Sequence, residues 1–296
     1  MIVVISDGKP GHLNQSLGLA EALERRRGDV AIREEPALTL PQALAAFVRR
    51  PACFRDAKLL IGAGHGTHLS LVALRRSSCP AVVLMRPSLP GFCFDVRVEP
   101  RHDGGRESAR CWLSDGPLNR VRPAPKDEAV NLILVGGPSP HFAWDEAALL
   151  TQLERICDGE RRWQLTGSRR TPPGFLERVA AAQLPGLLVH DAQTLPPGWL
   201  AQTLATARAA WVTPDSASMV YEALTAGCAV GLLDLPAVAG SRVARAMSDL
   251  VARGRVATAS TTGEEQSVGL ELATPCAEPL AEADRIARRI EERAWL

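Results

Sequence analysis

Residues Ala209–Leu233 read AAWVTPDSASMVYEALTAGCAVGLL. The apolar run Ala209–Val212 enters a Thr-Pro-Asp-Ser turn, and the spacing then predicts a helix over Ala217–Ala226. Gly227 stands where a helix-ending glycine belongs, and a second apolar run, Ala229–Leu233, follows at once. A strand, a crossover helix and a strand make a parallel pair. Both runs are apolar at nearly every position, as strands covered on both faces are. The turn is therefore expected at the carboxyl edge of a parallel sheet, where open α/β folds bind their ligands.

Working outward, the same alternation fills the rest of the chain. Strands are predicted at Asn131–Val135, Arg162–Thr166 and Gly186–His190, with helices over Trp144–Cys157 and Pro173–Ala182. Nearer the start come strands Ile2–Ile5, Lys58–Ile61 and Ala81–Leu84, helices from about His12 to Arg27 and near His65–Arg76, and two further strands, Asp95–Val98 and Ala109–Leu113. Between these series lies Asn119–Glu128 (NRVRPAPKDE), polar, with two prolines and no apolar period, which reads as a linker. The expectation is an α/β protein of two Rossmann-like domains facing a cleft: 1–120, a linker 121–128, a second domain 129–278, and an amphipathic helix 279–296 packing back on the first.

Composition agrees with a folded protein and excludes several partners. The chain has 296 residues, 46% hydrophobic and 23% charged, enough for one or two buried cores. Its net charge of +1 gives no whole-molecule field for nucleic acid. Residues 1–125 carry +6 and residues 126–296 carry −5. No apolar run reaches the roughly 18 residues of a membrane span, and Met1–Ser6 lacks a basic leader. Seven cysteines, never spaced C-x-x-C, fit free thiols rather than zinc or a disulfide framework. The expected location is cytoplasmic, or peripheral to the inner membrane.

Four loops sit where ligands are expected. The first, Asp7–His12 (DGKPGH), has Gly8 and Gly11 for tight turns and His12 at a helix start. His12 is either a helix-start residue or a general base for an acceptor hydroxyl; Asn14 and Gln15 follow in the first turn. The second, Gly136-Gly137-Pro138-Ser139, has the position of a phosphate-cradling turn. The third, Thr166–Pro173, sends Ser168, Arg169 and Arg170 from a strand end, either as guanidinium forks for a diphosphate or as a solvated pair. The fourth is the turn quoted first. Asp215 and Ser216 are capping types, Ser218 and Met219 offer amides to a phosphate, and Glu222 is placed to hold both hydroxyls of a ribose. His190 and Asp191, after another strand, border the same edge.

Other signals are read as structural. Arg25–Arg27, Arg49–Arg50 and Arg75–Arg76 fall at helix ends opposite the ligand edge and complement helix dipoles, with at most a weak contact to an acidic or membrane surface. Gly62–Thr67 (GAGHGT) has the third glycine one position early for a dinucleotide fingerprint, although Gly64 can line the cleft. His65 and His68 share a helix face without a third ligand, so no metal is expected.

These blocks resemble known families. Ser6–Leu23 is similar to the glycine-rich loop and first helix of MurG-type glycosyltransferases, with Gly11 and His12 matching and Pro10 replacing a glycine. Thr213–Leu235 resembles the donor helix of GT-B enzymes and of UDP-N-acetylglucosamine 2-epimerases. Asp7–Gln15, Leu134–Trp144, Thr166–Pro173 and Thr213–Gly227 together resemble the mitochondrial-fission Elm-type family along nearly the whole chain. The resemblance implies a GT-B-like fold and a nucleotide-sugar site, not a settled reaction; the first reading is a metal-independent glycosyltransferase using a nucleoside-diphosphate sugar, UDP-linked, with an unidentified acceptor and no cofactor. The second half would hold the donor through Gly136, Gly137, Ser139, Ser168, Arg169, Arg170, Asp215, Ser216, Ser218, Met219 and Glu222. His12 would act from the first, with domain closure excluding water. Two alternatives stay open: a non-catalytic scaffold recruiting a protein or membrane partner, and a UDP-sugar 2-epimerase.

Overall fold

The computed structural model describes residues 1–260 and 278–296. The end of the expected second domain, 261–277 with Cys276, lies outside the described residues. Two compact units emerge: Met1–Arg120 with Ala281–Leu296, and Val121–Leu280.

The first unit contains β1 (Ile2–Ser6), α1 (Pro10–Arg27), β2 (Ile32–Pro36), α2 (Leu40–Val48), β3 (Leu59–Ala63), α3 (His68–Leu74), β4 (Ala81–Leu84), β5 (Val96–Pro100) and β6 (Cys111–Ser114). The sheet is wholly parallel in the order β2-β1-β3-β4-β5-β6. Strand alternation divides its apolar residues between two cores, Ile2, Val4, Leu59 and Ile61 on one face and Val3, Ile5, Leu60 and Val83 on the other. The chain order reverses between β1 and β3, which pair from Ile2↔Leu59 to Ile5↔Gly62. Loops leaving those two strands therefore flank a topological switch point.

The second unit contains β7 (Asp127–Leu134), α4 (Glu146–Ile156), β8 (Trp163–Thr166), α5 (Phe175–Ala181), β9 (Leu187–His190), α6 (Trp199–Thr206), β10 (Ala207–Val212), α7 (Ala217–Ala226), β11 (Ala229–Leu232), α8 (Arg242–Ala252) and β12 (Ala257–Thr258). The order is β12-β11-β10-β7-β8-β9, again parallel, with the reversal between β7 and β10. Two residues of the expected linker, Asp127 and Glu128, belong to β7. Lys126 is also fixed, its Nζ donating to Ala205 O (3.0 Å) and Ala226 O (2.6 Å) at the ends of α6 and α7.

The last helix, α9 (Glu282–Glu291), belongs to the first unit. Ile286, Ala287 and Ile290 join the core under α1, while Arg25 pairs with Asp284 and Arg26 with Glu291. Arg75 chelates Asp95 through both oxygens (2.7 and 2.8 Å), so these arginine pairs are structural ties. No helix among the described residues is long and apolar enough to cross a membrane.

Candidate functional site

At the β1/β3 switch point the Asp7–His12 loop forms an acid–imidazole pair. His12 Nδ1 lies 2.9 Å from Asp7 Oδ2, and the Lys9 backbone N–H donates to Asp7 Oδ1 at 3.2 Å. Burial pushes the Asp7 carboxyl up, but the His12 hydrogen bond, the Lys9 amide and the neighbouring positive charges outweigh it and hold the group below its ordinary value. An ionised carboxylate only accepts, so Nδ1 carries the proton of this bond and Nε2 is the ring nitrogen that Asp7 does not engage. The loop after β3 backs this pair closely. A Cβ on Gly64 (φ +80°) would fall 2.1 Å from His12 Nδ1, and one on Gly66 would fall 2.7 Å from Asp7 Cβ. Glycine at these positions serves close packing, not dinucleotide binding. The sequence reading missed Asp7; its signal is an acid five residues before the histidine in one short loop.

Around the pair, Gly8 and Gly11 are exposed and Asn14 is half-buried. Gln15 Nε2 donates to the Met85 sulfur at 3.6 Å. Met85 itself sits at φ +71°, a backbone region L residues rarely adopt. Ser88 Oγ lies 3.0 Å from His65 Nδ1 and 3.3 Å from His68 Nδ1. Burial and the charge of His65 hold the His68 imidazole below its ordinary value. Among the described residues no group of three or more His, Cys, Asp or Glu could hold a metal ion.

In the second unit the β7/β10 switch point is closed by the protein's own groups. Gly136 N donates to Thr213 Oγ1 at 2.7 Å and Gly137 N to Asp215 Oδ2 at 3.0 Å. A Cβ on Gly136 would strike the Asp215 carboxylate, and one on Gly137 the Arg170 carbonyl. The Gly136–Gly137 pair therefore corrects its phosphate-cradle reading: both amides are occupied, and glycine is needed for packing. Asp215 is likewise a brace, its side chain fully buried and paired with Arg170 Nη2 at 2.7 Å. Arg170 also donates to Gly137 O (3.1 Å), Pro138 O (3.3 Å) and Asp215 O (3.4 Å), tying the loops after β7, β8 and β10 together.

Two further expectations are corrected on the same ground. Ser139 Oγ accepts from the amides of His141 (3.2 Å) and Phe142 (3.3 Å), so it shapes a turn. His190 bonds Gln164 Oε1 at 3.0 Å and packs its ring on Trp199, on the strand face opposite Val189.

What remains accessible is the start of α7 and, beyond the β7 loop, a cavity along the loops after β8 and β9. Ser216 occupies the N-cap without a side-chain hydrogen bond to the first turn, so the capping reading of Asp215 and Ser216 fails. Ser218 is exposed, Glu222 is half-buried one turn on, and Met219 points into the core. First-turn amides without a side-chain cap, together with the helix dipole, favour an anion. The cavity, about 1140 Å³, is lined by Ser168, Arg169, Arg170, Leu176, Val189 and Asp191, among others. Arg169 is exposed there, with no ion pair among the described residues. Ser168 Oγ accepts from Arg170 N at 3.1 Å, and Thr171 Oγ1, unread in the sequence, bonds Gly136 O at 2.6 Å and holds the loop.

A family model described as Mitochondrial fission ELM1 matches residues 10–294. No curated protein matches the sequence. In fold the chain is similar to MurG of Acinetobacter baumannii, with a TM-score of 0.53 and 16% identity over 98% of this chain and 99% of that one. It is similar to MnaA of Staphylococcus aureus with UDP, with a TM-score of 0.51 and 13% identity over 99% and 96%. It is also similar to the Escherichia coli heptosyltransferase WaaC with ADP, with a TM-score of 0.50 and 10% identity over 98% and 99%. At these identities the likeness carries the fold alone: two Rossmann-like α/β units of the GT-B type.

Proposed function

The chain belongs to the mitochondrial fission ELM1 family, and from that premise we propose that it transfers a glycosyl group from a UDP-sugar to a hydroxyl acceptor without a metal. The observation that carries this reading is the uncapped start of α7 at the carboxyl end of β10, with Ser216 and Ser218 at its mouth and Glu222 one turn in. The amides of the first turn take the diphosphate, and the Glu222 carboxylate takes the ribose hydroxyls. Arg169 and Ser168 add contacts from the loop after β8. Solved relatives in fold that carry UDP or ADP support this choice of ligand.

In the transfer step the acceptor oxygen attacks the anomeric carbon and the bond from that carbon to the diphosphate oxygen breaks. The acceptor proton goes to His12 Nε2. Asp7, on Nδ1, orients the ring and stabilises the imidazolium that forms. The charge leaving with the diphosphate falls to the α7 dipole and Arg169, which replace a cation in that role.

Calorimetry with UDP and a panel of UDP-sugars on the full chain tests the reading, with Glu222→Ala beside it. Saturable binding, weakened in Glu222→Ala, is the expected result. No heat at millimolar ligand would replace the enzyme with a non-catalytic scaffold. An isomerised UDP-sugar formed without acceptor, seen by NMR, would replace the transferase with an epimerase.

A further inference from the structure

Helix α2 (LPQALAAFV) packs with its residues reversed from the usual order. Its alanines, Ala43 and Ala46, enter the core, while Leu40, Leu44, Phe47 and Val48 are 61%, 57%, 49% and 92% exposed. Leu40, Leu44 and Phe47 follow the i, i+4, i+7 spacing of one helix face, with Val48 beside them. Large apolar side chains gathered on one exposed helix mark an interaction surface, whereas scattered ones do not.

The chemistry around the helix narrows the partner. α2 carries no charge, and its one polar side chain stands off this face: Gln42 lies two residues from both Leu40 and Leu44, and its Oε1 accepts from Thr39 N (2.9 Å) and Thr39 Oγ1 (3.0 Å) in a capping box. At its far end Arg76 Nη2 satisfies Ala46 O at 2.8 Å. The side chains of that face, Leu40, Leu44, Phe47 and Val48, are thus all hydrocarbon, although protein–protein contacts carry roughly one hydrogen bond per 100–200 Å². Hydrocarbon asks for none. The stretch that follows supplies exposed cations, Arg49, Arg55 and Lys58, against a single acid, Asp56. Apolar residues bordered by cations suit a bilayer with anionic headgroups.

We propose that α2 docks the first unit on an anionic lipid bilayer, with Leu40, Leu44, Phe47 and Val48 entering the headgroup–acyl boundary and Arg49, Arg55 and Lys58 meeting the headgroups. This inference is independent of the transferase reading, since its readout is not activity. The test is cosedimentation of the full chain with vesicles of equimolar phosphatidylglycerol and phosphatidylcholine, against phosphatidylcholine alone. Binding is expected on the anionic vesicles, weaker on the neutral ones and weaker in high salt. The double variant Leu44→Asp/Phe47→Asp is expected to lose affinity at least about tenfold, because two side chains that would enter the boundary become carboxylates. Val48→Asp alters one almost wholly exposed side chain, so it cannot disturb the core, and is expected to lose several-fold; thermal unfolding of both variants should match the parent. Absence of binding to anionic vesicles, or undiminished binding of both variants, would overturn the proposal. So would a dimer in light scattering that the double variant dissolves, with no vesicle binding, because the face would then join two copies.

Discussion

Replacing Gly64 by alanine probes the acid–imidazole pair through its backing rather than through its members. At φ +80° and ψ 161°, a region essentially reserved for glycine, an L residue costs roughly 1–3 kcal/mol, whatever the space around it. The new Cβ would also fall 2.1 and 2.2 Å from Nδ1 and Cε1 of His12, distances no real contact tolerates. The ring is the movable partner, so it swings away and gives up its bond to Asp7, a loss of about 1.5–3 kcal/mol for a charge-assisted hydrogen bond, less where solvent reaches it. Gly8→Ala is the comparison: its φ is +78° and nothing lies within 4 Å of the added Cβ, so it meets a positive-φ backbone cost with no clash. Both variants share the entropy lost from the unfolded chain, so the difference between them holds the displaced ring together with the ψ 161° strain at Gly64. Two units need not unfold together, so the assay is urea-dependent hydrogen exchange read on peptides covering β1 and β3. Gly64→Ala is expected to lose about 1–3 kcal/mol more than Gly8→Ala. Equal losses would refute the seating of His12 against Gly64.

Further outcomes follow from individual groups. Asp7 is held below its ordinary value in the folded chain, so its contribution to stability is complete above the unfolded carboxyl range and fades as pH falls through the folded value. The stability gap between the parent and Asp7→Asn should accordingly be widest near neutrality and close in acid; a gap that persists to the lowest pH contradicts the pairing. Arg169→Ala should weaken UDP binding about 10–100-fold and leave unfolding unchanged, as expected for a lost charge-assisted contact. Arg170→Ala, which strips the buried Asp215 of its partner, should destabilise the second unit by about 1–3 kcal/mol, the loss tempered because Arg170 is 42% exposed. The reverse assignment in denaturation and calorimetry would exchange their roles. His12→Ala should lower turnover by roughly 10²–10⁴-fold with donor binding intact, and an unchanged rate removes it as the base. Burial pushes the Cys157 thiol up to about 12 and the Cys228 thiol to about 11, so native alkylation should mark exposed Cys53 and spare both; rapid labelling of either would contradict their burial.

Much of the architecture could be read from continuous apolar runs such as Leu132–Val135 and Ala209–Val212, because central parallel strands are buried on both faces. Edge elements hid for the complementary reason. β2 (IREEP) is an edge strand whose exposed side chains break any apolar run, and α2 shows its large residues to solvent, so neither gives the pattern of a packed element. The α7 turn was legible because a capping-type turn, a helix and a glycine stop follow one another without a gap. What spacing could not tell was which polar groups the protein uses on itself. Gly136, Gly137, Asp215 and Arg170 sit at a switch point as a binding loop would, yet they bond one another across three strand ends, a relation between residues some 30 to 80 positions apart. Conversely, Gly64 looked like part of a failed nucleotide motif and is the wall behind His12.

The account stands on the first turn of α7 receiving a nucleotide. Titration of UDP into the isotopically labelled chain, following backbone amide resonances, reads that turn directly. Saturable movement of Ser218 and Met219, lost or strongly weakened in Glu222→Ala, is the predicted result. Amides of that turn that stay still at millimolar UDP, whether or not the nucleotide binds elsewhere, would contradict it.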